Sequence, residues 1–180
     1  FFLKATEISQ VLLGTDDDLI CIDPQNELQE VCREFGGQFL SLEAQGECRI
    51  NPMEIPEEIL TSGDELRKNQ FIADQCAWAS AFCEALMKNI VYTQEHRVLV
   101  SRCVRSLYER AFAQKRRKWQ PTLADLRKEI EMAMGQAEDP SEASILRRIY
   151  NSLEEQVGGP CDLFSHPSNV SFQNRLLVFG

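Results

Sequence analysis

With 180 residues, 43% of them hydrophobic and 26% charged, the chain has an ordinary globular composition and room for one or two domains. Its formal net charge of −9 argues against a broad nucleic-acid face, which needs a surplus of Lys and Arg, though not against a local basic patch. No apolar run approaches the roughly 20 residues of a membrane-spanning helix, and no signal peptide is visible.

Phe1 to Leu13 reads as a helix with Leu3, Ile8, Val11 and Leu12 inward and Gly14 just past its end. It begins abruptly, with two phenylalanines and no cap before them. Thr15 to Asp18 form a polar turn into Leu19-Ile20-Cys21-Ile22. That unbroken apolar run predicts a strand buried on both faces of a parallel sheet. Asp23-Pro24 ends it. In an open α/β sheet, ligands sit beyond the carboxyl ends of the strands, which is where Asp23 falls. Asp23 also suits the N-cap of the next helix, with Pro24 in its first turn, and the two roles are compatible.

Asn26 and Gln29 have capping-box spacing, and Leu28, Val31, Cys32 and Phe35 make a helical stripe that Gly36-Gly37 closes. Gln38 to Leu42 reads as a second strand, and Arg49 to Pro52 as a short extended piece. The texture changes at Met53-Glu54-Ile55-Pro56. From about Ser62 to Val157 the pattern is helical: a long helix from Asp64 to Ile90, one capped by Thr93, one capped by Thr122 with Asp125, and one started by Asp139-Pro140. Gly158-Gly159-Pro160 stops the block, and Arg175 to Phe179 returns to strand. The expected fold is therefore α/β, a partial parallel sheet in two pieces, residues 1–56 and 161–180, with an all-α domain inserted at residues 57–160.

The usual catalytic signatures are missing. There is no Gly-rich loop ending in Gly-Lys-Ser or Gly-Lys-Thr, no H-E-x-x-H and no G-x-S-x-G, and no catalytic residue is assigned within the chain. Seven cysteines without C-x-x-C spacing, and only His96 and His166 beside them, give no zinc signature, so no metal site is expected. Cys32, Cys76, Cys83 and Cys103 read as small core residues of a reducing compartment. The run Lys115-Arg116-Arg117-Lys118 with Trp119 is a possible contact for a partner or DNA; short basic runs between helices are more often solvated loops, with the Trp packed as a lid.

Several stretches, in order and from end to end, resemble one family. They are Phe1-Phe2-Leu3-Lys4, Thr15-Asp16-Asp17-Asp18 with the strand to Asp23-Pro24, Glu27, Ile50-Asn51-Pro52, Pro121-Thr122-Leu123 with Asp125-Leu126, Phe164 with Pro167-Ser168-Asn169-Val170, and Asn174-Arg175. The resemblance is to the VirB-four-type (TraC/TrbE-like) conjugative-transfer ATPases of type IV secretion systems, in the variant of Gram-positive conjugative elements.

The resemblance implies a segment of a RecA-like P-loop NTPase lying between its two ATP-handling motifs: a phosphate-binding Gly-Lys-Ser or Gly-Lys-Thr just before Phe1, and an Asp-Glu pair well after Phe179. ATP and Mg2+ would belong to the parent protein, and the segment alone is expected to hold neither. Asp23, Glu27 and Asn51 carry over as the edge of the nucleotide pocket, and Arg175 as a candidate inter-subunit residue. After Asp23-Pro24 the family usually has Glu-Gly-Glu and an aromatic, where this chain has Gln25, Asn26, Glu27 and Leu28. The implied partners are other type IV secretion components and further copies of the parent in a hexamer. The implied place is the cytoplasm, peripheral at the inner face of the bacterial membrane.

Overall fold

The computed structural model describes residues 2–43, 46–88, 90–114, 119–159 and 162–180. The chain forms two compact units. One combines Phe1–Arg49 with Ser168–Gly180; the other is the intervening Ile50–Pro167.

The first unit contains α1 (Phe2–Gly14), β1 (Leu19–Ile22), α2 (Gln29–Glu34), β2 (Gln38–Leu40) and β3 (Leu176–Phe179). The strands make a parallel sheet in the order β1-β3-β2, so the last strand of the chain occupies the centre. Leu19 pairs with Leu176 and Ile22 with Phe179, while Gln38 pairs with Leu177 and Leu40 with Phe179. One face is covered: Ile8 of α1 and Leu28, Val31 and Cys32 at α2 pack with Leu176 and Val178, flanked by Leu19, Cys21 and Phe39. Gly36, at φ 66°, ends α2, and Gly37 lies so close to Leu176 and Cys32 that a Cβ there would overlap both.

Two expectations fail in this unit. β1 is not buried on both faces, because Ile20 is 65% and Ile22 81% exposed. Side chains alternate across a strand, and only the Leu19 and Cys21 side of this edge strand meets helices. Asn26 is not a helix cap either. It turns the chain at φ 56°, and α2 starts only at Gln29.

The second unit carries α3 (Glu57–Leu60), α4 (Glu65–Leu86), α5 (Gln94–Ala113), α6 (Leu123–Gln136), α7 (Pro140–Ser152) and a 3-10 turn (Glu154–Gln156). The caps are local chemistry. Asp64 accepts from the Leu66 and Arg67 amides, Thr122 and Asp125 cap reciprocally, and Asp139 accepts from Ser141 with Pro140 in the first turn. α3 is an addition to the sequence reading, a single turn after Pro56.

α4 and α5 run antiparallel, as shown by Arg97 against Glu84, Cys76 against Ser101, and Gln75 against Tyr108. Leu107, Tyr108, Leu123, Leu126, Ile130, Leu146, Ile149 and Leu153 are fully buried in one core with Cys83 and Val100. The unit begins at Ile50 rather than Glu57 because residues 50–55 are tied into it. Asn51 Nδ2 donates to the Pro121 carbonyl, the Ile55 amide donates to Gln120 Oε1, and Tyr108 donates to the Met53 carbonyl.

Burial pushes the Cys83 thiol up to about 12 and the Cys103 thiol up to about 11, so both are apolar core groups rather than nucleophiles. Cys161 lies outside the described residues. No helix among the described residues is long and apolar enough to cross a membrane.

His96 makes the α5 capping box unusual. Its Nδ1 accepts from the Thr93 amide at 3.2 Å and lies 2.8 Å from Thr93 Oγ1. An amide can only donate, so the neutral ring carries its proton on Nε2, which is buried with no hydrogen-bond partner in the described structure. Burial, reinforced by Arg148 and opposed by Glu95, holds His96 below its ordinary 6.5. The unfolded chain therefore takes up this proton more readily than the folded one. The stabilisation is present above pH 6.5 and is lost as pH falls through the lower folded value. Urea midpoints should drop between pH 8 and pH 5.5, and the drop should be smaller in His96→Gln; an equal drop in both would contradict this assignment.

Candidate functional site

The carboxyl ends of β1 and β3 meet at Asp23, and the sequence explains how. The apolar run ends there, Pro24 prevents the strand from continuing, and Asn26 accepts the left-handed conformation that closes the turn. The Asp23 amide donates to the Phe179 carbonyl at 2.6 Å, which fixes the residue to the end of β3. Its carbonyl accepts from the Asn26 amide at 3.1 Å. Its Oδ2 accepts from the Leu28 amide at 2.7 Å, and the residue is only 4% exposed. Asp23 is thus a cap of the turn before α2, placed where a parallel sheet presents ligands.

Glu27 stands beside it, at the surface. Its Oε2 lies 2.8 Å from Lys4 Nζ of α1, with both side chains half exposed. The hydrogen bond and charge of Glu27, with a smaller contribution from Asp23, raise the Lys4 ammonium above its ordinary 10.5. Three charged groups from α1, the end of β1 and the following turn are therefore gathered at one edge. Gly180 follows β3 at the same edge, donating to Leu40 and accepting from Leu42. A Cβ at Gly180 would overlap Asn26 Oδ1 and the Phe39 ring.

Arg175 belongs to the opposite, amino edge of the strands. Nη1 donates to the Leu12 carbonyl at 3.3 Å, Nη2 to Thr15 at 2.8 Å and Asp17 at 2.9 Å, and Nε lies 3.9 Å from Asp18. It clamps the turn between α1 and β1, an intramolecular role that its place in a motif does not reveal.

Asn51 belongs to the helical unit. It is 5% exposed, bonded to the Pro121 carbonyl and accepting from the Met53 amide, and so acts there as a staple of the chain. Trp119 is half-buried against the helical core, while Lys115, Arg116, Arg117 and Lys118 lie outside the described residues. Trp78 stacks on Phe82 at 5.2 Å, and Phe82 meets Phe164 edge-on.

Of the predicted site residues, Asp23 and Glu27 thus share an edge, joined by Lys4. The Lys4–Glu27 pair spans 23 positions, and helical or strand periodicity carries no signal for it. These residues do not by themselves fit a nucleotide–magnesium site. Asp23 is bound to a backbone amide, Glu27 is paired with Lys4, and no group of three His, Cys, Asp or Glu side chains suited to a metal occurs among the described residues. What the edge can do is hold a turn rigid and present one half-exposed carboxylate.

No protein-family model and no curated protein matches the sequence. Among solved structures, the chain is similar to VirB4 of Thermoanaerobacter pseudethanolicus, with a TM-score of 0.69 over 99% of this chain at 18% sequence identity. The match covers 46% of the VirB4 chain, so the present sequence spans a little under half of that protein's length. The likeness is one of fold: mixed α/β, with a small parallel sheet and a large helical unit. It agrees with the family to which the ordered motifs point.

Proposed function

We propose that this chain is a segment of a type IV secretion ATPase, the part that forms one edge of a RecA-like nucleotide pocket and carries an all-α module. The observation that carries the proposal is Asp23, fixed between the ends of β1 and β3 in a chain with the fold of nearly half of VirB4. The ordered motifs support the same reading. In it, Asp23 sets the turn, Glu27 faces the pocket from that turn, and Lys4 positions Glu27.

The groups that cradle phosphate and hold Mg2+ belong to sequence on either side. ATP hydrolysis by the parent drives pilus assembly and transfer of DNA or protein. The parent works as a hexamer with other secretion components, peripherally at the inner face of the cytoplasmic membrane.

The test is nucleotide handling by the chain alone. Fluorescent ATP with Mg2+ should show no saturable binding, and purified chain should show no turnover, because the sequence has no Gly-Lys-Ser or Gly-Lys-Thr loop and no group of three His, Cys, Asp or Glu side chains suited to a metal occurs among the described residues. Clear turnover that survives purification would overturn the proposal.

A further inference from the structure

The first turns of α5 and α7 border a cleft of about 310 Å3 on the helical unit. Its floor is apolar, made by Leu99 and Ile145, and Val98 stands at its mouth 55% exposed. Ile90 and Val91, in the connection that leads into α5, are 38% and 81% exposed. Three exposed aliphatic residues, Ile90, Val91 and Val98, thus fall at or just before the start of α5, and an exposed apolar patch is a feature of docking sites.

The charged lining is mostly acidic. Glu95, Asp139 and Glu142 line the cleft, with Arg102 the one cation among its described lining residues, ion-paired to Glu142 across it. Three carboxylates against one guanidinium leave two negative charges. The two helix N-termini return only about half a positive charge each, so the cleft remains anionic. That balance disfavours a phosphate, the ligand helix N-termini would otherwise suit.

We propose that this cleft docks a basic segment of a partner protein, which inserts an aliphatic side chain between α5 and α7 and sets Lys or Arg against Glu95 and Asp139. A cleft of this size holds one or two side chains rather than a whole helix face. Exposed carboxylates set the rate and salt dependence of such an encounter, and the apolar floor its lifetime. The proposal stands on the helical unit alone and holds whether or not the chain belongs to an ATPase.

The test uses the whole chain and a fluorescein-labelled amphipathic Lys/Leu peptide, with a Glu/Leu peptide as the opposite-charge probe and inorganic phosphate as competitor. The Lys/Leu peptide should bind with an affinity that weakens as salt rises. Glu95→Lys combined with Val98→Asn, both at exposed positions, should weaken binding about tenfold. Glu109→Lys makes the same charge change on an exposed position near the other end of α5 and should leave binding unchanged. Equal losses in the two variants would mean that the peptide reads only the net acidity of the chain, and would overturn the proposal. So would absence of Lys/Leu binding, tighter binding of the Glu/Leu peptide, or displacement by phosphate.

Discussion

Tyr108→Ala should cost the helical unit about 3–5 kcal/mol, a large part of the roughly 5–15 kcal/mol that holds a domain folded. Tyr108 has no exposed surface, and its ring meets Phe71 edge-on at 5.3 Å. Its hydroxyl lies 2.8 Å from the Met53 carbonyl and 3.1 Å from Gln75 Oε1 and donates into that pair. The residue thus joins α4, α5 and the segment that enters the unit, and removing it leaves a void and an unpartnered carbonyl.

Tyr108→Phe separates the two effects: the ring stays, and the loss should be about 1–3 kcal/mol for the buried polar groups left behind. Both tryptophans, Trp78 and Trp119, lie in this unit, so fluorescence during urea unfolding reports it selectively. An unchanged midpoint in Tyr108→Ala would contradict this packing.

Asp23→Ala should cost the sheet unit about 1–3 kcal/mol, because the buried Leu28 amide loses its acceptor. Asp23→Asn retains an acceptor oxygen and should cost less, about 1 kcal/mol, the part owed to charge in the hydrogen bond. Amide exchange at Leu28 and along α2 measures this directly, since the tryptophans do not report on this unit. Protection unchanged in Asp23→Ala would remove Asp23 from the turn. The pair also divides structure from function. In a polypeptide that hydrolyses ATP, a loss of turnover in the folded Asp23→Asn variant would assign the carboxylate a role beyond capping.

Much of this architecture is legible in the sequence, for physical reasons that differ by element. Thr122 with Asp125, Asp139 with Pro140, and Asp64 mark helix starts because capping acts within three residues. Leu123, Leu126 and Ile130 are legible as core because the helical period places them on one face. The exposure of Ile20 and Ile22 is not legible, since an apolar run states what a strand could bury and not which of its faces is covered. The central place of β3 is a pairing across more than 130 positions, and nothing local encodes it.

The site was legible in part. Asp23 stands out because a carboxylate and a proline end an apolar strand. Lys4 meets Glu27 only after α1 folds back on the sheet, and Asn51 and Arg175 become staples through carbonyls that sequence does not distinguish. The cleft at α5 and α7 is likewise a product of packing. Glu95, Asp139 and Glu142 each read as ordinary first-turn acids, and only the fold assembles them around Leu99 and Ile145.

In the function proposed, this chain supplies one edge of a nucleotide pocket that phosphate- and metal-binding groups of a longer parent polypeptide complete. The most direct measurement is ATP turnover by the chain joined to its own flanking polypeptide on both sides, beside the chain alone under the same Mg2+ and salt. The account predicts turnover in the extended protein and none in the chain. An extended protein that is folded yet neither binds nor hydrolyses ATP would contradict it.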